Sequence, residues 1–407
     1  MDRGSGLLGT ALTLIHTGQA PTRSALTAAL GVTRATAGAI TAELRDLRLI
    51  KVEAAHGDGT HGRPSYRLLI EPDGPVTIAA QLFPDGFAVA LVGLGGRIVA
   101  SERGQGDAAD DPARALRPLT QIAAELLRRS GRTCAGAAIA VPAAVAEPEG
   151  TAVSPLYLSW PTGTKVRDIF AGQLADLLGD QWARRPGGLA CQAVNDVNAV
   201  ALAEHRHGAG RGASHLLVVA AERKGVGGAL VLRGALYGGS TGLSMEAGHV
   251  SVDPNGHPCP CGNRGCLNVE TDADRFMRAA GRAPRPGSPV LDQAIAILSA
   301  EYPTDPKVRA AAASLVERLG LGLAGLINVV NPDLVLLGGL HRYLLEAAPD
   351  QLRDAVASRS PWGRGAAVPI RACVLDDGGL IGAAELAWQP VLGDPRRVGE
   401  CGHDADL

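Results

Sequence analysis

Four side chains of the kind that hold a transition metal stand within eighteen positions of one another: His249, Cys259, Cys261 and Cys266, spaced His-x9-Cys-x-Cys-x4-Cys. Any fold open to this chain must bring His249 back onto the cysteine loop. Three thiolates and one imidazole complete a tetrahedral zinc shell and leave no open position, which indicates a structural ion. Gly262 and Gly265 supply the backbone freedom of a tight knuckle. A lone Cys-x-Cys would be read as unliganded thiols; four donors in a glycine-rich run are read as zinc. His257 is near enough to compete, and His249 is the preferred fourth ligand. Cys134, Cys191, Cys373 and Cys401 are scattered, so the seven cysteines do not make a disulfide framework, and a reducing cytoplasm is expected.

With 46% of its 407 residues apolar, the chain can bury a large core, and its length suggests two or three folded units. A net charge of −2 argues against a protein that coats polyanions generally. Residues 1–70 nevertheless carry eight Lys/Arg against five Asp/Glu, a mild hint of a nucleic-acid face. No charged segment followed by a long apolar run opens the chain. No stretch approaches the roughly 18 uninterrupted apolar residues of a membrane span, so neither a signal peptide nor a membrane partner is expected.

Residues 7–48 read as three short helices. Leu7, Leu8, Ala11, Leu12 and Ile15 stripe the first; Thr22 caps the second, which stops at Gly31; Thr33 caps a third, with Ala37, Ile40, Leu44 and Leu47 inward. Leu49–Val52 and the alternating Tyr66, Leu68 and Ile70 read as two strands flanking a loop. Three helices and a two-stranded ribbon make the winged helix-turn-helix plan. In that plan the N-terminus of the third helix enters the major groove of double-stranded DNA. Arg34 can pair bidentately with guanine, and Thr33 and Thr36 can meet phosphates or a thymine methyl. His61 and Arg63, on the wing, would add phosphate or minor-groove contacts. The plainer alternative is a three-helix protein-interaction module.

Glu71-Pro72-Asp73-Gly74-Pro75 is turn chemistry and a domain boundary. Beyond it strands alternate with helices. Residues 76–82, 87–94 and 97–101 suggest a meander, a helix covers 113–129, and strands are expected at 134–141, 189–194, 216–221, 229–232 and 334–337. The pattern is that of an α/β core with mixed sheets.

The run Gly242-Leu-Ser-Met-Glu-Ala-Gly-His249, continuing to Cys-Pro-Cys-Gly-Asn-Arg-Gly-Cys266, resembles the signature of the ROK family of repressors, open reading frames and sugar kinases. Asn195-Asp196-Val197-Asn198 looks like the family's catalytic Asn-Asp segment. Gly225-Val226-Gly227-Gly228 looks like its second phosphate loop, and Asn331-Pro332-Asp333, Gly338-Gly339 and Gly382-Ala383-Ala384 fit the same pattern. The N-terminal head ending in Gly62-Arg63-Pro64 resembles the repressor branch. The resemblance implies a two-lobed actin-like (ribonuclease H-like, sugar-kinase-type) ATPase fold with a sugar cleft between the lobes. The division expected is a head at 1–74, a first lobe at 75–195 that a C-terminal helix can complete, and a second lobe with the zinc knuckle at 196–395. The family also implies homodimers or tetramers on an inverted-repeat operator, and DNA binding switched by a carbohydrate effector.

By the same resemblance Asp196 is the kinase base, here vestigial. Asn195, Asp196, Glu246, His249 and Asn268 match positions that hydrogen-bond sugar hydroxyls. Two departures weigh against phosphoryl transfer, which needs a phosphate cradle as well as a base. The family's Asp-x-Gly-Gly-Thr turn is replaced by Ala79-Ala80-Gln81-Leu82-Phe83-Pro84-Asp85-Gly86. Arg223-Lys224 stands where the second loop has Gly-Thr. In the sugar site Asn268 stands where the family has a glutamate and Pro142-Ala143 where it has Pro-Gly, which points to an atypical sugar or a drifted pocket. The expectation is therefore a sugar-sensing transcriptional repressor without enzyme activity. The alternatives are a sugar kinase that keeps a DNA-binding head, and a regulator controlled by protein docking.

Overall fold

The computed structural model describes residues 3–54, 66–106, 111–179, 189–361 and 368–401. His61 and Arg63 lie outside the described residues. The chain opens with helices α1 (Arg3–His16), α2 (Arg23–Leu30) and α3 (Arg34–Asp46), then the antiparallel pair β1 (Ile50–Glu53) and β2 (Arg67–Ile70), with Ile50 opposite Ile70. The caps fall where the residue types place them. Thr22 Oγ1 accepts from the Ala25 amide, Gly31 ends α2 at φ +63°, and Thr33 Oγ1 accepts from the Thr36 amide. Leu8, Ala11, Leu12 and Ile15 of α1 are buried, whereas Leu7 is turned to solvent. A stripe that recurs every three to four residues from Leu8 leaves Leu7 on its flank.

The rest is built on two five-stranded sheets of one topology. In the first, β3 (Val76–Phe83), β4 (Gly86–Gly93) and β5 (Ile98–Gln105) form an antiparallel meander. Helix α4 (Pro112–Ser130) then leads to β6 (Cys134–Val141), which lies parallel to β3. The hairpin β7 (Ala144–Ala146) and β8 (Thr151–Ser154) and helix α5 (Val166–Leu178) precede β9 (Cys191–Asn195), giving the order β5-β4-β3-β6-β9. The second sheet repeats the plan after helix α6 (Asp196–His207). Strands β10 (His215–Ala221), β11 (Val226–Leu232) and β12 (Ala235–Leu236) are followed by helices α7 (Leu267–Glu270), α8 (Ala273–Ala279), α9 (Val290–Glu301) and α10 (Pro306–Val330). Strand β13 (Leu334–Gly339), helices α11 (Leu340–Ala347) and α12 (Pro349–Ala357), and β14 (Ile370–Ala372) complete the order β12-β11-β10-β13-β14. Helix α10 is long and apolar enough to cross a membrane, but Val308, Leu315, Leu319, Leu323 and Ile327 are buried in the core of the second sheet.

The meander matches the spacing of its apolar residues, but β5 runs on past Ser101 to Gln105. Its alternating exposure explains why: at the sheet edge Arg103 is exposed on one face while Glu102, on the other, pairs with Arg129. The short strands β7, β8 and β14 carry too few residues for a period and are absent from the sequence reading.

The last helix, α13 (Gly378–Gly393), is buried along most of its length and packs on β3, β6, α6 and α1. Gly382 permits its crossing with α6, since a Cβ there would lie 1.7 Å from the Ala199 carbonyl oxygen. Trp388, fully buried, donates from Nε1 to the Val92 carbonyl at 3.2 Å. One apolar core joins Leu8, Leu12 and Ile15 of α1 to Ala383, Trp388 and Val391 of α13 and to β3, β4 and β6. The three-helix head is therefore anchored on the first sheet and not tethered by a linker.

Candidate ligand cleft and metal cluster

The turns after β6, β8, β9 and β10 converge on a small cavity of about 60 Å³. Asn195 caps α6 at its rim: its Oδ1 accepts from the Val197 and Asn198 amides at 3.0 and 3.1 Å, and its Nδ2 donates to the Ala143 carbonyl. Both ends of that side chain are engaged in holding the α6 start to the Pro142-Ala143 turn. Asp196, the next residue, lines the cavity. Burial, followed by the charges of Glu222 and Glu246, pushes its carboxyl up to about 7. Burial also raises Glu222 and Glu246, which share the cavity wall. Glu222 is absent from the sequence reading; its only signal is its place directly before Arg223-Lys224.

Asn268 is buried at 2% exposure and fully committed to the protein. Its Oδ1 accepts from the Val226 amide at 2.7 Å, and its Nδ2 donates to the Tyr157 hydroxyl. Tyr157, brought in from the turn after β8, thus bridges the two sides of the cleft, and burial pushes its hydroxyl up to about 12. The fit requires glycine at 225, which sits at φ +74°, where a Cβ would fall 2.2 Å from Asn268 Oδ1. Tyr157 is a second residue missing from the sequence reading.

The segment standing in for the family's first phosphate turn forms the end of β3 and its hairpin into β4. Asp85 there pairs with Arg223 at 3.1 Å, and the Arg223 guanidinium lies 4.6 Å over the Phe83 ring. Lys224 pairs with Asp274 at 2.8 Å. Both cations of the second loop therefore face carboxylates of this chain.

His249, Cys259, Cys261 and Cys266 come together with all their donor atoms within 4.8 Å of one another, and the group can hold a metal ion. His249 Nδ1 is 3.7 Å from Cys259 Sγ, and Cys261 and Cys266 sulfurs are 3.8 Å apart. The knuckle is closed by backbone bonds from Cys259 to the Asn263 carbonyl and from Gly265 to the His257 carbonyl, both 2.8 Å. The other ring nitrogen of His249, Nε2, lies 3.9 Å from the Glu246 carboxylate on the cavity side. His257 is drawn away instead: its Nδ1 is bonded at 2.9 Å to the buried Glu270, which also faces Arg318 at 3.2 Å. Glu270 is a third residue that the sequence reading missed.

On the head, Thr33, Arg34 and Thr36 are exposed at the start of α3, while Ala37, Ile40 and Leu44 are buried beneath them. The helix thus has one sealed face and one open, polar N-terminal edge.

The ROK family model matches residues 84–389. The chain belongs to the ROK family. A glucokinase from Thermotoga maritima is 32% identical over 210 residues, which cover 49% of this chain and 66% of that protein, so the chain spans just under two thirds of the glucokinase. A xylose repressor from Caldicellulosiruptor bescii is 23% identical over 323 residues, covering 76% of this chain and 77% of that one. The crystal structure of a ROK family transcriptional regulator, a homologue of the E. coli MLC protein, aligns over 98% of both chains at 22% identity with a TM-score of 0.73. That likeness in fold covers the three-helix head as well as the two α/β sheets.

Proposed function

We propose that the protein is a DNA-binding transcriptional regulator, acting in the cytoplasm as a repressor, whose ROK domain senses a sugar or sugar derivative. The observation that carries this reading is the open edge of α3. Thr33, Arg34 and Thr36 are held out by a capped helix start on a head that shares its core with the ROK sheets. In this reading residues 1–74 are a winged helix-turn-helix, 75–195 with α13 are one lobe and 196–395 the other. Arg34 reads a base edge, Thr33 and Thr36 flank it, and His61 and Arg63 add contacts from the wing. A homodimer or tetramer sets two heads on an inverted repeat. The xylose repressor relative, matched over most of both chains, supports the same reading.

Asp196, Glu246 and His249 are the polar groups left to receive sugar hydroxyls, with Asn195 and Asn268 shaping the walls. The cavity of about 60 Å³ is far below the roughly 300 Å³ at which small-molecule pockets usually begin. A monosaccharide therefore enters as Tyr157 or one lobe moves back, and that movement is the signal. Zinc fits the four-donor cluster: separations of 3.7 and 3.8 Å are tetrahedron edges for donors about 2.1–2.3 Å from a common centre. Bound there, zinc acts as a structural staple. His249 would use Nδ1 toward the ion and keep Nε2 toward Glu246 and the ligand.

Anisotropy of labelled DNA from the gene's own upstream region, at physiological salt and with a panel of sugars, tests the reading. Tight, competitor-resistant binding that one sugar shifts is expected. Weak binding that collapses with salt would remove it.

One observation favours a second reading, a sugar kinase with a DNA-binding head: Asp196 lies in the cleft, and a glucokinase is 32% identical over half the chain. Against it stands the Arg223–Asp85 pair, which sets a carboxylate where a phosphate would need the cation. A coupled ADP-release assay over the same sugars separates the two, and any true kinase signal must vanish in Asp196→Asn.

A further inference from the structure

Helix α6 has one end in the cleft and the other against the head. Asn195 caps it and Asp196 lines the cavity; twelve residues later, about 18 Å along the axis, it ends in Arg206-His207. There the Glu385 carboxylate of α13, wholly buried, takes donors from both sides of a seam. His207 Nε2 reaches it at 2.8 Å and Arg206 at 2.5 Å from α6, and His16 Nε2 reaches it at 2.9 and 3.0 Å from the last turn of α1. The rings of His16 and His207 meet edge to face, 5.1 Å apart. Arg211, just past α6, donates to the Thr17 carbonyl at 2.5 Å and ties the same two elements a second time.

The hydrogen-bond directions fix what this cluster is. The Gly95 amide donates to His16 Nδ1 at 2.9 Å, so Nε2 must carry the ring proton and donate it to Glu385. A metal ion would need the Nε2 lone pair, and Arg206 already supplies the counter-charge. Two histidines and a glutamate at this spacing are therefore a closed hydrogen-bond joint and not a metal site. Their sequence positions, 16, 206–207 and 385, belong to the head, to the cleft helix and to the C-terminal helix.

We propose that Glu385 is the coupling joint through which a ligand in the cleft moves the DNA-reading head. A buried carboxylate cannot give up its donors cheaply. When ligand entry shifts α6, Arg206 and His207 carry Glu385 with them, and His16 follows or loses the carboxylate it donates to. Because α1 shares one apolar core with α2 and α3, a shift of its last turn reorients the edge of α3. Glu385, His16 and His207 touch neither ligand nor DNA and act as positioning residues. This inference rests on the sugar-sensing, DNA-binding reading of the two ends.

The test compares the full-length protein with Glu385→Gln and His207→Gln. DNA affinity is measured by anisotropy with and without D-xylose or D-glucose, and sugar affinity by calorimetry. In the variants the sugar's own affinity should stay within about twofold, while the factor by which sugar changes DNA affinity, commonly 5–150-fold for such coupling, should fall toward one. If both variants keep the factor of the unmodified protein, the joint is wrong and the functional reading survives. If the unmodified protein binds DNA and sugar with no mutual effect, both fall. Hydrogen exchange on the unmodified protein decides should the variants fail to fold. Sugar should alter protection at the last turn of α1 and the residue after it, residues 13–17, and unchanged exchange there overturns the joint.

Discussion

The metal cluster and the Glu385 joint are built from similar materials, a handful of polar groups packed against an apolar core, yet their sequences differ in kind. The cluster draws its four donors from eighteen consecutive positions, where glycines and turns alone can close the shell. The joint draws its groups from residues 16, 206, 207 and 385, and exists only once three helices, α1, α6 and α13, have packed together. The first is a local device, closed within one short stretch of chain. The second is a product of the whole fold, and it seals the seam between head and ROK domain.

That contrast predicts different failures. With zinc held by the cluster, as proposed, losing the ion is the larger local insult. Cys259→Ser or Cys266→Ser should abolish stoichiometric metal and release on the order of 10 kcal/mol of local stability, the scale on which zinc orders small loops. Hydrogen exchange should register the loss across residues 253–268 while the first sheet stays protected. Full metal content in both variants, with the knuckle still protected, would refute the four-donor assignment.

Glu385→Ala should instead weaken the molecule across its middle. It strands Arg206 and two histidines beside an apolar core, a change that costs about 3–5 kcal/mol when a buried partner is lost. The loss should be non-additive with His16→Ala, since both remove the same bond. Burial alone would raise the Glu385 pKa, but the donors of His16, His207 and Arg206 outweigh it and hold the carboxyl well below the ordinary carboxylate range. Its contribution is therefore complete above the unfolded carboxylate value and lost as pH falls through the depressed folded one. Acid unfolding should be shallower in Glu385→Gln; an identical acid limb in the two proteins would show that the carboxylate is not what holds the seam.

How much could be read in advance follows the same division. Caps at Thr22 and Thr33, the meander, and the strand at 134–141 were all legible because each rests on residues a few positions apart. So was the gathering of His249, Cys259, Cys261 and Cys266 into one cluster that can hold a metal. Tyr157, Glu222 and Glu270 were not, although each bears directly on the cleft or the knuckle. Tyr157 matters only because its turn is folded against Asn268, and Glu270 only because His257, Arg275 and Arg318 close around it. Asn195 is instructive in the opposite sense. Its position marks the site, yet its side chain caps α6, which the word asparagine in a motif does not disclose.

The cleft end of α6 gives a smaller effect with a definite sign. The Asp196 carboxyl is raised to about 7 by burial and by Glu222 and Glu246, so the folded protein binds its proton more tightly than the unfolded chain. Stability must then fall as pH rises from about 4 toward 7, and the cost is fully present above that. Asp196→Asn should stabilise the protein at pH 8 by up to a few kcal/mol, with little change near pH 4. It should also weaken sugar binding, the exchange expected of a residue kept for function. A uniform destabilisation at both pH values would make Asp196 an ordinary structural residue.

The smallest effect on stability belongs to Arg34, and it is the most direct comparison of head with cleft. Its side chain is exposed at the start of α3, and the helix is already capped by Thr33, so Arg34→Ala should leave the melting temperature within experimental error. If Arg34 reads a guanine edge, the same change costs about 1–3 kcal/mol of operator affinity and relaxes preference at one base pair. If it contacts only phosphate, affinity drops evenly across sequences, and the dependence on salt concentration becomes shallower by about one ion. Sugar affinity should be unchanged in either case, because Arg34 lies on the far side of the Glu385 joint. A variant with full operator affinity and unaltered base preference would move DNA recognition off the α3 edge, and with it the observation on which the regulator reading stands.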